Sequence, residues 1–462
     1  MISIAQRAYV VLWKELDKWI IPKQLLSPSH FPKDWSFALV SEIVGQVTDR
    51  VKVIPDKEYK MVGVKWYGKG IFHRETVKGD SLSSTYVTPL VSDAFIYNRL
   101  FAWKGSFAIV PDEYTDCFVS TEFPQFIVNE DRILPRYLYL FFMCKNTIKA
   151  VNEASIGSAA VSRNRFKEED FLDFEIPLPP LPIQQAIVEK WRNAQEEIRA
   201  ASKRVDTLEK KIAETTLKNV GIKLYLLEKR QKSFLIYWDE IERWGVAFNR
   251  WKWNLSELLL SHKHPMVVLS DEAFINPTNN VLLSDDELVS FIPMEAVSDK
   301  TGEVAAPQIR KCREVKNGYT RFSNDDVIWA KITPCMQNGK CAVARNLKNY
   351  IGFGSTEFHV IRSKDKNRLM PDYIWSLLRL DHLRQAAQRY FIGSAGQQRV
   401  PADFLSNLQI PLPPVEIQKT IINGVRKAYS EIAHEREAAE RKSREIEAEM
   451  EALILGMKTI NT

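Results

Sequence analysis

The sequence predicts an α+β protein built twice over: two mixed globular domains, each followed by a long helix, with the two helices pairing as an antiparallel coiled coil about a pseudo-two-fold internal repeat. Three observations carry this. The phrase Ile176-Pro177-Leu178-Pro179-Pro180 recurs as Ile410-Pro411-Leu412-Pro413-Pro414, and each copy leads into an Ile-Gln pair, Ile183-Gln184 and Ile417-Gln418. Other phrases recur in the same order: Ser120-Thr121-Glu122-Phe123 with Ser355-Thr356-Glu357-Phe358, Pro135-Arg136-Tyr137 with Pro371-Asp372-Tyr373, Ile156-Gly157-Ser158-Ala159 with Ile392-Gly393-Ser394-Ala395, and Asp170-Phe171-Leu172 with Asp403-Phe404-Leu405. A period this long denotes a pair of domains rather than a solenoid. Finally, apolar residues after each Pro-rich phrase fall at alternating spacings of four and three, the seam of a coiled coil.

Taken in order, residues 1–30 carry an amphipathic helix pattern with Ala8, Val11, Leu12, Leu16, Trp19 and Ile20 on one face. Residues 31–175 form the first globular domain, where β-type runs such as Phe107-Ala108-Ile109-Val110 and Phe126-Ile127-Val128 alternate with turns. Residues 176–236 hold the first seam: Ile187, Trp191, Ala194, Ile198, Ala201, Val205, Leu208 and Ile212. Prolines cannot continue a helix backwards, so they mark its start. Residues 237–409 form the second globular domain, with a turn cluster at Asn276-Pro277-Thr278-Asn279-Asn280. Its opening, Trp251-Lys252-Trp253 before Ser256-Glu257, reads as the counterpart of Trp35-Ser36-Phe37 before Ser41-Glu42, which places an insertion early in the second copy. Residues 410–462 hold the second seam, Ile421, Val425, Ala428, Ile432, Ala439, Ile446 and Leu453, interrupted by Glu435 and Lys442. The connector from Asn219 to about Trp238 is too short to carry the chain back to the start of the first helix, which favours antiparallel pairing.

Composition sets outer bounds. The 462 residues are 45% hydrophobic and 26% charged, with a net charge of +6, which permits a polyanionic partner. Apolar runs too short to cross a bilayer, and Arg7, Lys14, Glu15, Asp17 and Lys18 near the start, predict a cytoplasmic protein without signal peptide or membrane association. The five cysteines show no Cys-x-x-Cys pairing, so neither a disulfide framework nor a metal site is expected. The Asn-Pro-Pro-Tyr type of loop that holds a flipped adenine is absent, Asn276-Pro277-Thr278 lacking the second proline and the aromatic. No phosphate-binding Gly-x-x-x-x-Gly-Lys-Ser/Thr loop occurs either. Asp325-Asp326 and Asp285-Asp286-Glu287 read as solvated turns, and His262-Lys263-His264 as a basic loop.

On these residues the chain resembles the specificity subunits of type I restriction-modification enzymes. In that family two target recognition domains alternate with two helical conserved regions, each entered through an Ile-Pro-Leu-Pro-Pro phrase followed by a Gln, as at Ile176 to Gln184 and Ile410 to Gln418. Phe353-Gly354-Ser355-Thr356-Glu357-Phe358, with Lys331-Ile332-Thr333-Pro334 and Gly339-Lys340 upstream, is similar to a recognition domain. Its counterpart is Tyr97-Asn98-Arg99-Leu100, Lys104-Gly105 and Ser120-Thr121-Glu122-Phe123. The resemblance implies a non-catalytic subunit that binds a bipartite, asymmetric target in double-stranded DNA. It further implies two methyltransferase subunits docked on the helical regions, and restriction motor-nuclease subunits joining through them. S-adenosylmethionine, ATP and magnesium would belong to those partners, and this chain would hold no cofactor. A seam from Ile187 to Ile212 rises roughly 39 Å at about 1.5 Å per residue, close to one turn of DNA. The alternative is a standalone coiled-coil DNA-binding regulator or scaffold without catalytic partners.

Reading bases requires donors and acceptors at base edges, with phosphate contacts holding register. Two matched loops supply such residues: Ser158, Ser162, Arg163 and Arg165 in the first, and Ser394, Gln397, Gln398 and Arg399 in the second. Further candidates are Lys69, Arg74, Arg99 and Lys104 in the first domain, and Arg310, Lys331, Thr333 and Lys340 in the second. Glu122 and Glu357, flanked by hydroxyls on an apolar stretch, read as structural carboxylates. The halves differ in almost every candidate reading residue, so the two half-sites should differ.

Overall fold

A computed structural model describes residues 31–155, 165–222, 238, 259–278, 282–394 and 397–460. The expected N-terminal helix and the Trp251-Lys252-Trp253 opening lie outside them. The chain divides into two compact units, Met1–Arg199 with Glu440–Thr462, and Ala200–Ala439. Two helices of forty residues, Leu181–Val220 and Val415–Ile454, each give one part to either unit.

Unit 1 contains eleven described strands: β1 (Ser36–Leu39), β2 (Val44–Gln46), β3 (Val51–Lys52), β4 (Glu58–Val64), β5 (Ile71–Lys78), β6 (Tyr86–Pro89), β7 (Phe95–Tyr97), β8 (Phe107–Ile109), β9 (Phe118–Val119), β10 (Gln125–Val128) and β11 (Glu175–Leu178). They form sheets of order β2-β10-β7-β8 and β3-β6-β9-β4-β5 and a separate β1-β11 ladder. The β-runs expected at Phe107 and Phe126 are β8 and β10. Phe171, from the repeated Asp-Phe-Leu phrase, closes the core under the first sheet, with ring centroids 4.5 Å from Phe126, 5.1 Å from Phe142 and 5.3 Å from Phe95. Fully burying one such side chain contributes about 2–3 kcal/mol.

Unit 2 repeats the plan with β12 (Met266–Val268), β13 (Ala273–Ile275), β14 (Leu288–Ile292), β15 (Gln308–Lys311), β16 (Thr320–Ser323), β17 (Val327–Ala330), β18 (Cys341–Val343), β19 (Ile351–Gly354), β20 (Phe358–Ser363) and β21 (Gln409–Pro411). The sheets are β13-β20-β17-β18 and β15-β14-β19-β16, with a β12-β21 ladder. Phe404 takes the place of Phe171, stacking on Trp329 at 6.1 Å and packing on Tyr390 at 5.1 Å. The strand answering β1 is β12: Ala38 pairs with Ile176 as Val267 pairs with Ile410. The described strands of the second copy thus begin at Met266, and the tryptophans near residue 251 lie outside the described residues.

The Pro-rich phrases prove to be strand-to-helix corners. In each, the strand ends at the prolines and a helix begins, at Leu181 or Val415. The buried amide of Gln184 accepts from the Leu134 N–H (2.9 Å) and donates to the carbonyls of Arg132 (3.0 Å) and Pro179 (2.9 Å). Gln418 makes the same three bonds, to Met370 (2.9 Å), Arg368 (2.7 Å) and Pro413 (2.9 Å). Tyr137 donates to the Pro177 carbonyl at 3.0 Å and Tyr373 to that of Pro411 at 2.8 Å. The repeated Gln and Tyr thus satisfy backbone groups that proline, lacking an N–H, leaves outside regular ladders.

Within unit 1, Ile187 and Ala194 bury against the core with Ile446, Met450 and Leu453. Lys190 pairs with Glu449 (3.2 Å) and Glu197 with Lys442 (2.7 Å), so partner numbers fall as helix numbers rise and the pairing is antiparallel. Within unit 2, Val205 and Ile212 bury with Ile421, Val425 and Ile432. There Arg204 forks onto Glu435 at 3.1 and 2.9 Å. Glu435 and Lys442, the two breaks in the second seam, are thus the partners of charges spaced seven apart on the first helix, a spacing that specifies register.

Candidate nucleic-acid interface

In unit 2 the site grows from the end of β17. Lys331 follows that strand, and its backbone is held on both sides: its N–H donates to the Glu357 carbonyl, and its carbonyl accepts from the Val400 N–H, both at 2.9 Å. The Thr333 N–H donates to the Gln398 carbonyl at 3.0 Å. Ile392 and Arg399 exchange both backbone bonds at 2.9 Å, closing the Gly-Ser loop at its base. Gly393 there has φ +114°, and a Cβ would meet the Gln397 carbonyl at 3.1 Å, so only glycine suits the turn. Ser394 and Gln397 are exposed, and Gln398 is half-buried.

Glu357 anchors the loop's far end. The turn of the Ser-Thr-Glu-Phe phrase, closed by Phe358 N–H to Ser355 carbonyl at 3.2 Å, presents its carboxylate to the Arg399 guanidinium. Nε donates to Oε2 at 2.8 Å and Nη2 to Oε1 at 2.7 Å. These bonds hold the Glu357 carboxyl below the usual range and raise Arg399 above its own. Behind the pair, buried His359 stacks on Trp329 at 6.3 Å. Its Nε2 lies 2.8 Å from the Val400 carbonyl and its Nδ1 3.1 Å from Asn276 Nδ2. Nε2 must therefore carry the proton, and burial pushes the imidazole below its ordinary value.

Unit 1 has the same stations. The Arg99 N–H donates to the Glu122 carbonyl and its carbonyl accepts from the Phe166 N–H, both at 3.0 Å. Arg165 forks onto Glu122 at 3.2 and 3.0 Å. Arg99 corresponds to Lys331, and Arg165 to Arg399. Arg99 also pairs with Glu168.

The remaining candidates scatter. Ser158, Ser162 and Arg163 lie outside the described residues. Lys340 turns inward, its ammonium donating to the carbonyls of Met294 (2.9 Å) and Val297 (2.8 Å). The Thr333 hydroxyl bonds Gln337. Arg310 lies over Phe291 at 4.0 Å and donates to Gln308 at 2.7 Å. Arg74 pairs with Glu75 at 3.2 Å on edge strand β5. Lys69 is exposed in the β4–β5 turn, and Lys104 lies 3.7 Å from the centroid of Trp66 in the same turn. Of the residues read from the sequence, Lys331, Thr333, Gln398 and Arg399 come together in unit 2, and Arg99 and Arg165 in unit 1. The aromatics Trp66 and Tyr67, beside two of the named lysines, went unread because exposed aromatics and core aromatics look alike in sequence.

The acidic turns are bound up in ion pairs: Asp326 with Arg362 at 2.6 Å, Asp285 with Lys316 at 2.6 Å, and Asp286 with Lys311 and Arg313 at 3.0 Å. Lys263 and His264 reach the last carbonyls of the first long helix, Lys218 at 3.4 Å and Asn219 at 3.3 Å, where cations suit the helix dipole. Among the described residues no group of three or more His, Cys, Asp or Glu is arranged to hold a metal ion, and no helix is long and apolar enough to cross a membrane.

Comparison with known proteins agrees with this duplicated frame. The model of the type I restriction modification DNA specificity domain matches residues 32–210 and again 275–441. Two specificity subunits from Escherichia coli are similar over shorter stretches, that of type I restriction enzyme EcoEI at 38% identity over 161 residues and that of EcoAI at 44% over 153. Those stretches are 35% and 32% of this chain but only 27% and 25% of the relatives' own length. A solved structure from work on complex assembly and conformational transition of the type I R-M system shares the fold, with a TM-score of 0.52 over 92% of this chain and 98% of its own, at 17% identity. With two matches to one family model covering most of its length, the chain belongs to the type I restriction-modification DNA specificity family.

Proposed function

We propose that this chain is the DNA-reading subunit of a type I restriction-modification complex, binding a bipartite, asymmetric target in double-stranded DNA through its two globular domains, residues 31–175 and 237–409. The observation that carries this is one frame with two different faces. Both units hold a Glu–Arg fork beside the loop that precedes the strand-to-helix corner, while the basic residue at the shared station is Arg99 in one and Lys331 in the other. A frame built twice with different exposed residues reads two different half-sites. Gln397 and Gln398 carry amides able to pair with adenine edges. Arg165 and Arg399, whose forks are taken by carboxylates, position the loops and meet phosphate with their remaining donors. Ser158, Ser162, Arg163, Ser394, Lys69, Arg74, Arg310 and Thr333 supply further phosphate or base contacts. Arg99, Lys331 and Lys104 add positive charge, and Lys340 supports the face from behind.

In this reading the chain does no chemistry. Two methyltransferase subunits dock on the helical regions, residues 176–236 and 410–462, and restriction motor-nuclease subunits join through them. S-adenosylmethionine, ATP and magnesium reside in those partners, and the complex works in the cytoplasm. Exchanging residues 31–175 for the first domain of another family member, followed by methylome sequencing, tests the reading. One half of the methylated motif should change and the other stay, and a change in both halves refutes independent heads. Gln397→Ala should cost roughly 1–3 kcal/mol of discrimination at one base pair. Purification should bring down a methyltransferase, and the chain alone should transfer no methyl group.

A further inference from the structure

The turn joining β4 to β5 in unit 1 presents an aromatic side chain to solvent on a rigid mount. Residues 65–74 carry Lys65, Lys69, His73 and Arg74 among Trp66, Tyr67 and Phe72, with no carboxylate. Tyr67 is 65% exposed and Trp66 41%. Tyr67 also sits at φ +57°, a left-handed conformation that a bulky side chain rarely adopts. The backbone leaves it no choice. The Tyr67 N–H donates to the Lys104 carbonyl and the Gly68 N–H to that of Gly105, both at 2.9 Å, and Tyr139 donates to the Gly68 carbonyl at 3.0 Å. Trp66, next to Tyr67 in the chain, is braced by the Lys104 ammonium at 3.7 Å and by Phe101 at 5.1 Å.

Unit 2 joins β14 to β15 by a longer connection that lacks the aromatic, and its glycine N–H bonds within the connection, Gly302 to the Ser298 carbonyl at 3.0 Å. Trp375 stands where Tyr139 does, four residues after the repeated proline, and its Nε1 donates to the Gly302 carbonyl at 3.0 Å. The residue before that glycine is Thr301, its neighbours include Asp299 and Glu303, and of residues 298–303 only Gly302 has positive φ. The corresponding connection in unit 2 carries neither an exposed ring nor a strained non-glycine residue beside this glycine. Strain held in place by its surroundings at an exposed position marks function, and exposed rings between cations are the furniture of base stacking along a phosphate backbone.

We propose that the Trp66–Tyr67 turn is a stacking platform for a nucleobase displaced from its own stack, with Tyr67 meeting the base and Lys69 and Lys104 meeting the adjoining phosphates. This rests on the DNA-binding reading above and adds to it that unit 1 engages an unstacked base at this turn.

The test uses the full chain and three random-sequence probes: a paired duplex, the same duplex with one base opposite an abasic site, and the corresponding single strand. Tyr67→Gly removes the ring at a position whose φ suits glycine, so its thermal midpoint should not fall. Its affinity for the unpaired-base duplex and the single strand should drop about 5- to 150-fold, the equivalent of roughly 1–3 kcal/mol per stacked base, while affinity for the paired duplex stays near wild type. Tyr67→Phe should bind all three as wild type does. Undiminished binding of the unpaired-base duplex by Tyr67→Gly, or an equal loss on all three probes, overturns the platform and leaves the DNA-binding reading standing. A wild-type chain that binds none of the probes overturns both.

Discussion

Replacing Gln418 by leucine isolates the joint between globular domain and helix. The side chain is fully buried and its amide makes three hydrogen bonds to backbone, at 2.9, 2.7 and 2.9 Å. Leucine has a similar bulk and none of the polar atoms. Each bond is worth about 0.5–1.5 kcal/mol net, and a buried group left unsatisfied costs about 1–3 kcal/mol. The Met370 N–H and the Arg368 and Pro413 carbonyls would all lose this partner, so Gln418→Leu should destabilise unit 2 by about 3–4 kcal/mol. Because the chain divides into two units, a single unfolding midpoint would blur the effect, and hydrogen exchange resolved to the Met370 amide reads it locally. Exchange there should accelerate roughly 150- to 900-fold, while the Leu134 amide in unit 1 stays protected. Gln184→Leu should do the reverse. Gln418→Glu keeps an acceptor for Met370 but sets a carboxylate against two carbonyls, and should be no better than leucine. An acceleration below about fivefold at Met370, equivalent to about 1 kcal/mol, would refute the view that the repeated Gln holds the corner.

The Glu357–Arg399 fork predicts coupling: Glu357→Ala, Arg399→Ala and the double variant should weaken DNA binding by similar factors, and a double loss equal to the product of the singles would show that each acts alone. His359 predicts a pH dependence. Its folded pKa lies below the ordinary 6.5, so the unfolded chain binds the extra proton first. Stability is then full above about pH 6.5 and declines as pH falls below it, by at most about 1.4 kcal/mol per unit for one proton, levelling off once the folded form also protonates. His382 is displaced in the same direction by burial, so the diagnostic is a shallower slope in His359→Gln than in wild type by urea unfolding across pH 5–7. Reversing one rung of the helix ladder with Arg204→Glu should lower the thermal midpoint, and adding Glu435→Arg should restore it. Failure of the second change to rescue would mean that the rung does not set register.

The parts of this fold legible in the sequence are those written in short phrases. Seam positions such as Ile187, Val205, Ile421 and Ile446 are buried because heptad spacing is a local property of the chain. The Pro-rich corners were visible for the same reason, proline acting on its own backbone. What escaped depends on closure between distant segments. Nothing near Lys340 announces that its ammonium will cap the carbonyls of Met294 and Val297, more than forty residues away. β12, likewise, is recognised by its pairing with β21, not by its letters.

A chain that contains its own comparison separates frame from face. At three stations where the two halves carry the same polar residue, it is turned to the protein's own backbone or to its own carboxylate or guanidinium: Gln184 and Gln418 at the corners, Tyr137 and Tyr373 on the proline carbonyls, Glu122 and Glu357 under Arg165 and Arg399. An identical residue with an identical partner cannot tell one base sequence from another. Under the proposed reading, discrimination must then come from positions where the halves part company: Arg99 against Lys331, whose backbone bonds match, and Tyr67, which unit 2 reproduces neither in residue nor in backbone conformation at Thr301. Arginine carries a planar fork, held in part here by Glu168, where lysine offers a point charge, and a tyrosine ring stacks on a base where threonine does not. Two copies of one scaffold thereby acquire different chemistry at the same stations, which is the physical requirement for an asymmetric target.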